Sequence, residues 1–140
     1  MNYASVIAAT LVGLRLALAL VFIVAGGAKW IGRTSFREAL SGYSWIPSFA
    51  KGLLSIIIPL FELLLGVLLL SGFAQQVVLA ASSIALGFFV VISAIDLLSG
   101  NRHDCGCFGK HQLLTSHGAG LVIRNVCLFA AATVSLAAIA

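Results

Sequence analysis

Long runs of apolar residues divide the chain into four segments separated by shorter polar stretches. A helix needs about 20 mostly apolar residues to cross the hydrocarbon core of a bilayer. Four runs reach that length, at about residues 4–28, 53–72, 76–98 and 118–140. The first run is too long for a signal peptide and lacks a basic flank before it, so we interpret it as a spanning helix. The pattern predicts four transmembrane helices.

The three connections between these spans differ in length and content. Loop 1 (residues 29–52) is long, loop 2 is a short turn near SGFAQQ, and loop 3 (residues 99–117) is polar. Within loop 1, TSFREALSGY predicts a short amphipathic helix with Thr34 or Ser35 as its N-cap, ended by Pro47. Short links favour antiparallel neighbours. We therefore expect one all-α domain, an antiparallel four-helix bundle over residues 1–140, with loops 1 and 3 on the same side.

Composition places this bundle in a lipid bilayer. The chain is 61% hydrophobic and 9% charged, with a mean hydropathy of +1.16. A soluble domain carries about a quarter charged residues. The net charge of +4 does not indicate a nucleic-acid partner, because the basic residues form no long run.

The basic residues outside the spans fall on one side of the predicted topology. The N-terminal tail, loop 2 and the C-terminal end contain no lysine or arginine. Loops 1 and 3 contain Lys29, Arg33, Arg37, Lys51, Arg102 and Lys110. Because cytoplasmic loops carry an excess of lysine and arginine, this bias predicts that loops 1 and 3 face the cytoplasm.

Four charged residues fall inside the predicted spans. Such residues usually face the bundle interior and pair. Arg15 lies roughly 21 Å from Lys29, and Glu62 roughly 16 Å from Lys51, at the helical rise. These similar depths predict an Arg15–Glu62 pair that joins spans 1 and 2. Asp96 and Arg124 form a second candidate pair, although Arg124 can also reach Glu62. Fixed packing, proton movement and ligand binding are the roles open to this network.

Helix packing has two further sequence signals. Small residues recur at four-residue spacing in Ala9–Gly13, Gly13–Ala17 and Ser83–Gly87. Such spacing allows close helix approach in lipid, and it also arises by chance in a chain rich in alanine and glycine. Pro59 interrupts span 2 three residues before Glu62, which predicts a kink.

The polar stretch RHDCGCFGKH in loop 3 places two thiols one residue apart. Glycine between Cys105 and Cys107 permits a turn that brings them within disulfide distance. The ring would be small, and strained disulfides are more easily reduced, so an exchangeable redox pair fits well. The same two thiolates with His103 or His111 form a ligand set for zinc, copper(I) or another soft metal. Inert thiols in a docking loop are the third interpretation.

Cys127 is separate from this pair. It lies well into span 4, roughly 15 Å from residue 117 at helical rise. We expect it to behave as a buried small hydrophobe.

These motifs, taken in order, resemble the DoxX-like redox-associated membrane proteins, in particular the MauE branch named for methylamine utilisation. The matching stretches are AGGAKW closing span 1, SFREALSGYSWIP in loop 1, PLFELLLG in span 2, CGCFGK in loop 3, and Arg124 with Asn125 in span 4. The resemblance covers nearly the whole chain. Lys29, Glu62 and Arg124 match recurring polar positions of the family.

The resemblance implies a four-helix protein of a bacterial inner membrane that takes part in thiol–disulfide chemistry beside a thioredoxin-like partner. It implies Cys105 and Cys107 as the redox pair of a thiol–disulfide oxidoreductase. The sequence identifies no definite cofactor, and a quinone or a soft metal ion is open. Inward-facing thiols would suit electron relay from a cytosolic thioredoxin.

Two other functions remain open from the residues. The first is transport of a soft metal captured by loop 3 and gated by the Arg15 and Glu62 region. The second is a non-catalytic small subunit or assembly factor of a larger membrane complex, with inert thiols. The possible partners are such a complex or further copies of the chain in a homo-oligomer.

Overall fold

A computed structural model describes residues 2–99 and 119–140 of the chain. In that part every regular element is a helix, which confirms the all-α architecture. The helices are α1 (Tyr3–Ile31), α2 (Arg33–Ser41), α3 (Ser48–Ser71), α4 (Gln75–Ser99) and α5 (Ala119–Ile139).

Four of these helices, α1, α3, α4 and α5, are long and apolar enough to cross a membrane, as the sequence predicts. Their outer faces are strongly apolar. Leu20 is 64% exposed, Ile84 75% and Ile123 63%. Exposed apolar surface of this extent exceeds what a soluble monomer carries, so these faces lie against lipid.

The short helix α2 confirms the amphipathic segment of loop 1 but starts earlier than expected. Its N-cap is Gly32, with no side-chain cap, so the prediction of Thr34 or Ser35 as N-cap is wrong. Pro47 does not end α2, because it is the N-cap of α3. The helix buries Phe36 and Leu40, which pack with Ile46 against residues of α3.

The spanning helices pack as two close pairs, α1 with α3 and α4 with α5. Contacts between the two pairs are sparser. The pairs meet around a core that contains Leu18 and Phe22 of α1, Leu65 and Leu69 of α3, and Leu79 of α4.

Helix α1 extends beyond the other spanning helices at the loop 2 end. Arg15 contacts Gly72, where α3 ends, and the Gln76 side chain at the start of α4 donates to the Ile139 carbonyl at the end of α5, at 3.4 Å. Leu11 and Leu14 are still half-buried, whereas residues 3–10 are all exposed. This exposed start of α1 is roughly 12 Å long at 1.5 Å per residue.

Candidate functional site

A buried ion pair joins the last turn of α1 to the middle of α3. The Lys29 ammonium donates a hydrogen bond to Oε1 of Glu62. The two side chains are 1% and 2% exposed. A charge removed from water is costly unless it is paired, so the two charges stabilise each other in this position.

Two glycines bring the helices close enough for this pair to form. A Cβ on Gly26 would lie 2.9 Å from the Pro59 carbonyl oxygen and 3.0 Å from the Leu63 nitrogen. A Cβ on Gly66 would lie 2.6 Å from Ile23 Cγ1. Neither position has room for a side chain, so the α1 and α3 backbones are in direct contact along the stretch of α1 that precedes Lys29.

Aromatic rings enclose the Lys29 ammonium. Its nitrogen lies 4.7 Å from the ring centroid of Phe89 on α4 and 5.7 Å from that of Phe36 on α2. A desolvated cation over an aromatic face gains about 2 kcal/mol. Side chains from four helices thus meet at Lys29: α1, α2, α3 and α4.

Glu62 uses only one of its carboxylate oxygens within the described part of the chain. Oε2 is buried and has no hydrogen-bond partner among residues 2–99 and 119–140. A buried carboxylate oxygen without a donor costs free energy, and an orphaned acceptor of this kind marks a position where a donor would be stabilised.

The predicted Arg15–Glu62 pair is wrong. Arg15 lies at the far end of α3, where its Nη1 is 3.0 Å from the position a Cβ would take on Gly72. Gly72 has a φ of 71° and caps α3. The negative end of the helix dipole at this cap favours a cation, so Arg15 sits beside the loop 2 end instead of mid-span.

A neutral polar contact joins α4 to α5. The Asn125 amide donates to the Ser93 hydroxyl at 2.9 Å, and both side chains are buried. Ser93 was not predicted to have a role, although a polar residue in each of two neighbouring spans is a signal that the sequence contains. Arg124 is half-buried beside Asn125. The side chain of Asp96 lies outside the described residues, so the Asp96–Arg124 pair stays a prediction.

The thiol motif also lies outside the described residues. This applies to the redox candidates Cys105 and Cys107 and to the metal candidates His103 and His111. Within residues 2–99 and 119–140 there is no group of three or more His, Cys, Asp or Glu residues that could hold a metal. Cys127 is exposed on α5, which corrects the expectation that it is buried.

Comparison with known proteins identifies relatives of the whole chain. The family model described as Methylamine utilisation protein MauE matches residues 4–138. Methylamine utilization protein MauE of Paracoccus denitrificans is 31% identical over 121 residues, which are 85% of this chain and 64% of that protein. The chain therefore spans less than two thirds of the length of this relative. No solved structure matches this chain.

Proposed function

Because the chain belongs to the MauE family, we propose that it is a membrane thiol–disulfide exchange protein with Cys105 and Cys107 as the exchanging pair. The observation that carries the proposal is the location of CGC between the end of α4 at Ser99 and the start of α5 at Ala119. A partner from the aqueous phase reaches a connection between spans but not the interior of a span.

The proposed exchange moves two electrons between this pair and a thioredoxin-like partner. The thiolate of one cysteine attacks the partner's disulfide and forms a mixed disulfide, and the released partner thiolate takes up a proton. The second cysteine then loses its proton and attacks the mixed disulfide. The partner leaves as a dithiol, and Cys105 and Cys107 are left joined. The relative reduction potentials decide the direction.

The positions of Lys29 and Arg15 change the number of basic residues at each end of the bundle, from which the orientation in the membrane is inferred. Lys29 is buried inside the bundle, so it is not a loop residue, and Arg15 lies at the loop 2 end instead of mid-span. Five basic residues remain at the end with loops 1 and 3, namely Arg33, Arg37, Lys51, Arg102 and Lys110. One, Arg15, lies at the opposite end. The bias still supports cytoplasmic thiols in a bacterial inner membrane.

A trapping experiment tests the exchange. Cys107→Ser should leave the first mixed disulfide unresolved and hold a thioredoxin-like partner covalently, as should Cys105→Ser if the order of attack is reversed. The measurement is non-reducing electrophoresis of membranes from the native host, followed by mass spectrometry of the trapped species.

Cys127 provides the control for this experiment. It is exposed on the outer face of α5 and can cross-link two copies of the chain. All trapping variants are therefore made in a Cys127→Ser background. If neither single variant traps a partner there, the exchange proposal fails. Labelling of Cys105 and Cys107 in intact cells with a membrane-impermeant thiol reagent tests their side independently, and strong labelling would contradict a cytoplasmic location.

The name of the Paracoccus denitrificans relative supports a biological context. We propose that this chain, like its relative, takes part in methylamine utilisation. A host strain without the protein should lose growth on methylamine, and the wild-type chain should restore it. Full restoration by a Cys105→Ser, Cys107→Ser double variant would mean that the thiols are inert and would favour an assembly role instead.

A further inference from the structure

Two arginines lie on one side of α2 at the loop 1 end of the bundle. Arg33 and Arg37 are both exposed. At about 100° per residue they lie about 40° apart around the helix axis, on one flank of the face that Phe36 and Leu40 bury. Glu38 lies about 180° from the middle of that face. The two guanidinium groups therefore share a side of α2 from which the carboxylate is absent.

The break between α1 and α2 turns Arg33 away from the bundle interior. Arg33 follows Lys29 by four residues, so in one unbroken helix both would lie on the same face. Gly32 ends α1 with a φ of −93° and a ψ of 37°, and α2 begins directly after it. As a result Lys29 is buried against Glu62, whereas Arg33 is exposed.

A tryptophan indicates the depth of these arginines in the membrane. The guanidinium carbon of Arg33 lies 5.2 Å from the ring centroid of Trp30. Tryptophan is enriched where the hydrocarbon layer meets the headgroups. Trp30 is 41% exposed, and its neighbour Ile31 is 87% exposed. The Arg33 cation therefore lies at headgroup level, next to apolar side chains that face lipid.

Arg33 and Arg37 form no ion pair in the part of the chain that the structure describes. Lys51 at the start of α3 differs from them, because its ammonium donates to the Ser41 carbonyl at 3.2 Å. A guanidinium group binds phosphate oxygens through two parallel hydrogen bonds. The charge and shape of the two arginines therefore complement a phosphate group.

We propose that Arg33, Arg37 and Trp30 form a binding site for the headgroup of an anionic phospholipid. The two guanidinium groups bind its phosphate, and its acyl chains lie against Trp30 and Ile31. A zwitterionic lipid has the same phosphate but also carries a cation, which the arginines repel. An acidic protein segment would match the charges but not the apolar side chains beside them. The site involves no thiol and does not rest on the proposed exchange function.

Trp30 can report the lipid that lies against it. The chain has two tryptophans, so a Trp45→Phe variant fluoresces through Trp30 alone. This full-length variant is reconstituted into vesicles in which one lipid has brominated acyl chains, which quench a tryptophan in contact with them. One series has brominated phosphatidylglycerol in unlabelled phosphatidylcholine. The other has brominated phosphatidylcholine in unlabelled phosphatidylglycerol, over the same range of brominated fractions.

Quenching of Trp30 should show a clear preference for the anionic lipid. Phosphatidylglycerol should bind about fivefold more tightly than phosphatidylcholine, or more, because a basic residue near anionic lipid contributes ~1 kcal/mol, which is a factor of about five. Equal quenching by the two brominated lipids would overturn the site and leave the arginines to an acidic protein segment. This comparison keeps both arginines, so it does not depend on the folding of a variant at the site.

A matched pair of variants distinguishes a site from a diffuse attraction. Arg37→Gln and Lys51→Gln each remove one positive charge at the same end of the bundle, and the glutamine amide in Lys51→Gln can still donate to the Ser41 carbonyl. Arg37→Gln should lower the preference for phosphatidylglycerol about fivefold, and Lys51→Gln should change it less than about twofold. Equal losses from the two variants, both helical by circular dichroism, would overturn the proposal. Neither outcome depends on the trapping experiment.

Discussion

The α1–α3 and α4–α5 pairs are built by different means. The backbones of α1 and α3 are in contact at Gly26 and Gly66. A buried ion pair, Lys29–Glu62, joins the same two helices. Between α4 and α5, Gly87 faces a side chain, with an added Cβ 3.3 Å from Cε2 of Phe129. The polar contact there is neutral and joins Asn125 to Ser93.

The difference explains where the bundle tolerates change. A ring such as that of Phe129 can rotate to accept a new methyl group, whereas a backbone carbonyl in a helix cannot move alone. A neutral amide left without its partner costs much less than a buried charge left alone. We therefore expect substitutions in the α1–α3 interface to have the larger effects, and the following predictions test that ranking.

The largest effect is expected from Lys29→Met. It leaves the Glu62 carboxylate buried without a counter-charge, which costs about 3–5 kcal/mol. The free energy of unfolding, measured by denaturant titration in mixed micelles, should fall by that amount. Replacing both members, Lys29→Met with Glu62→Met, should recover most of the loss because no charge is then buried. A double variant as unstable as the single one would contradict this account.

A smaller loss is expected from a single added methyl group at the α1–α3 contact. Gly26→Ala places a Cβ 2.9 Å from the Pro59 carbonyl oxygen, which should destabilise the bundle by about 1–3 kcal/mol. Gly87→Ala should cost less than about 1 kcal/mol, because only the Phe129 ring must move.

Gly13→Ala is the control for these two substitutions. Nothing lies within 4 Å of its Cβ position, so no loss is expected, and the higher helix propensity of alanine favours a small gain. If Gly26→Ala and Gly13→Ala behave alike in thermal unfolding, close backbone contact does not hold α1 to α3.

The smallest effect is expected at the neutral contact. A double-mutant cycle of Asn125→Ala and Ser93→Ala should give a coupling energy of about 0.6 kcal/mol, the average for hydrogen bonds between helices in membranes, and at most about 1.7. A coupling above 3 kcal/mol would place this contact on a level with the ion pair and reverse the ranking.

The spans and α2 were predictable because their signals are local. Apolar runs of about 20 residues have few alternatives to spanning helices, and Phe36 and Leu40 at four-residue spacing define a buried face. The N-cap was not predictable, because the chain leaves α1 through Gly32 and enters α2 at once, before Thr34 is reached.

The predicted Arg15–Glu62 pair is wrong because the register of α1 against α3 depends on contacts between residues that are distant in sequence. The predicted depths of Arg15 and Glu62 were counted from Lys29 and Lys51, as if both lysines marked one membrane surface. In the structure Lys29 lies at the depth of Glu62, eleven residues into α3 from Lys51. That register follows from Gly26 and Gly66, whose role depends on which face of each helix meets the other. The chain has several glycines in spans, and their spacing alone does not identify the contact.

The small-residue pairs show the same distinction. Ser83 is 7% exposed and Gly87 contacts Phe129, so this pair does lie at a helix interface. Gly13 has no neighbour within 4 Å, so the spacings that involve it come from composition. Cys127 was misplaced for a related reason, since an apolar residue in a span can face lipid as readily as the core.

The length of α1 gives bilayer thickness an influence on the buried ion pair. At 29 residues the helix is roughly 43 Å long, against a hydrocarbon layer of about 30 Å. Lipid responds to such a mismatch by making the helix tilt or by stretching around it, at a fraction of a kcal/mol per ångström. We therefore expect the thickness of the bilayer to change the tilt of α1, and with it the packing of α1 against α3 around the Lys29–Glu62 pair.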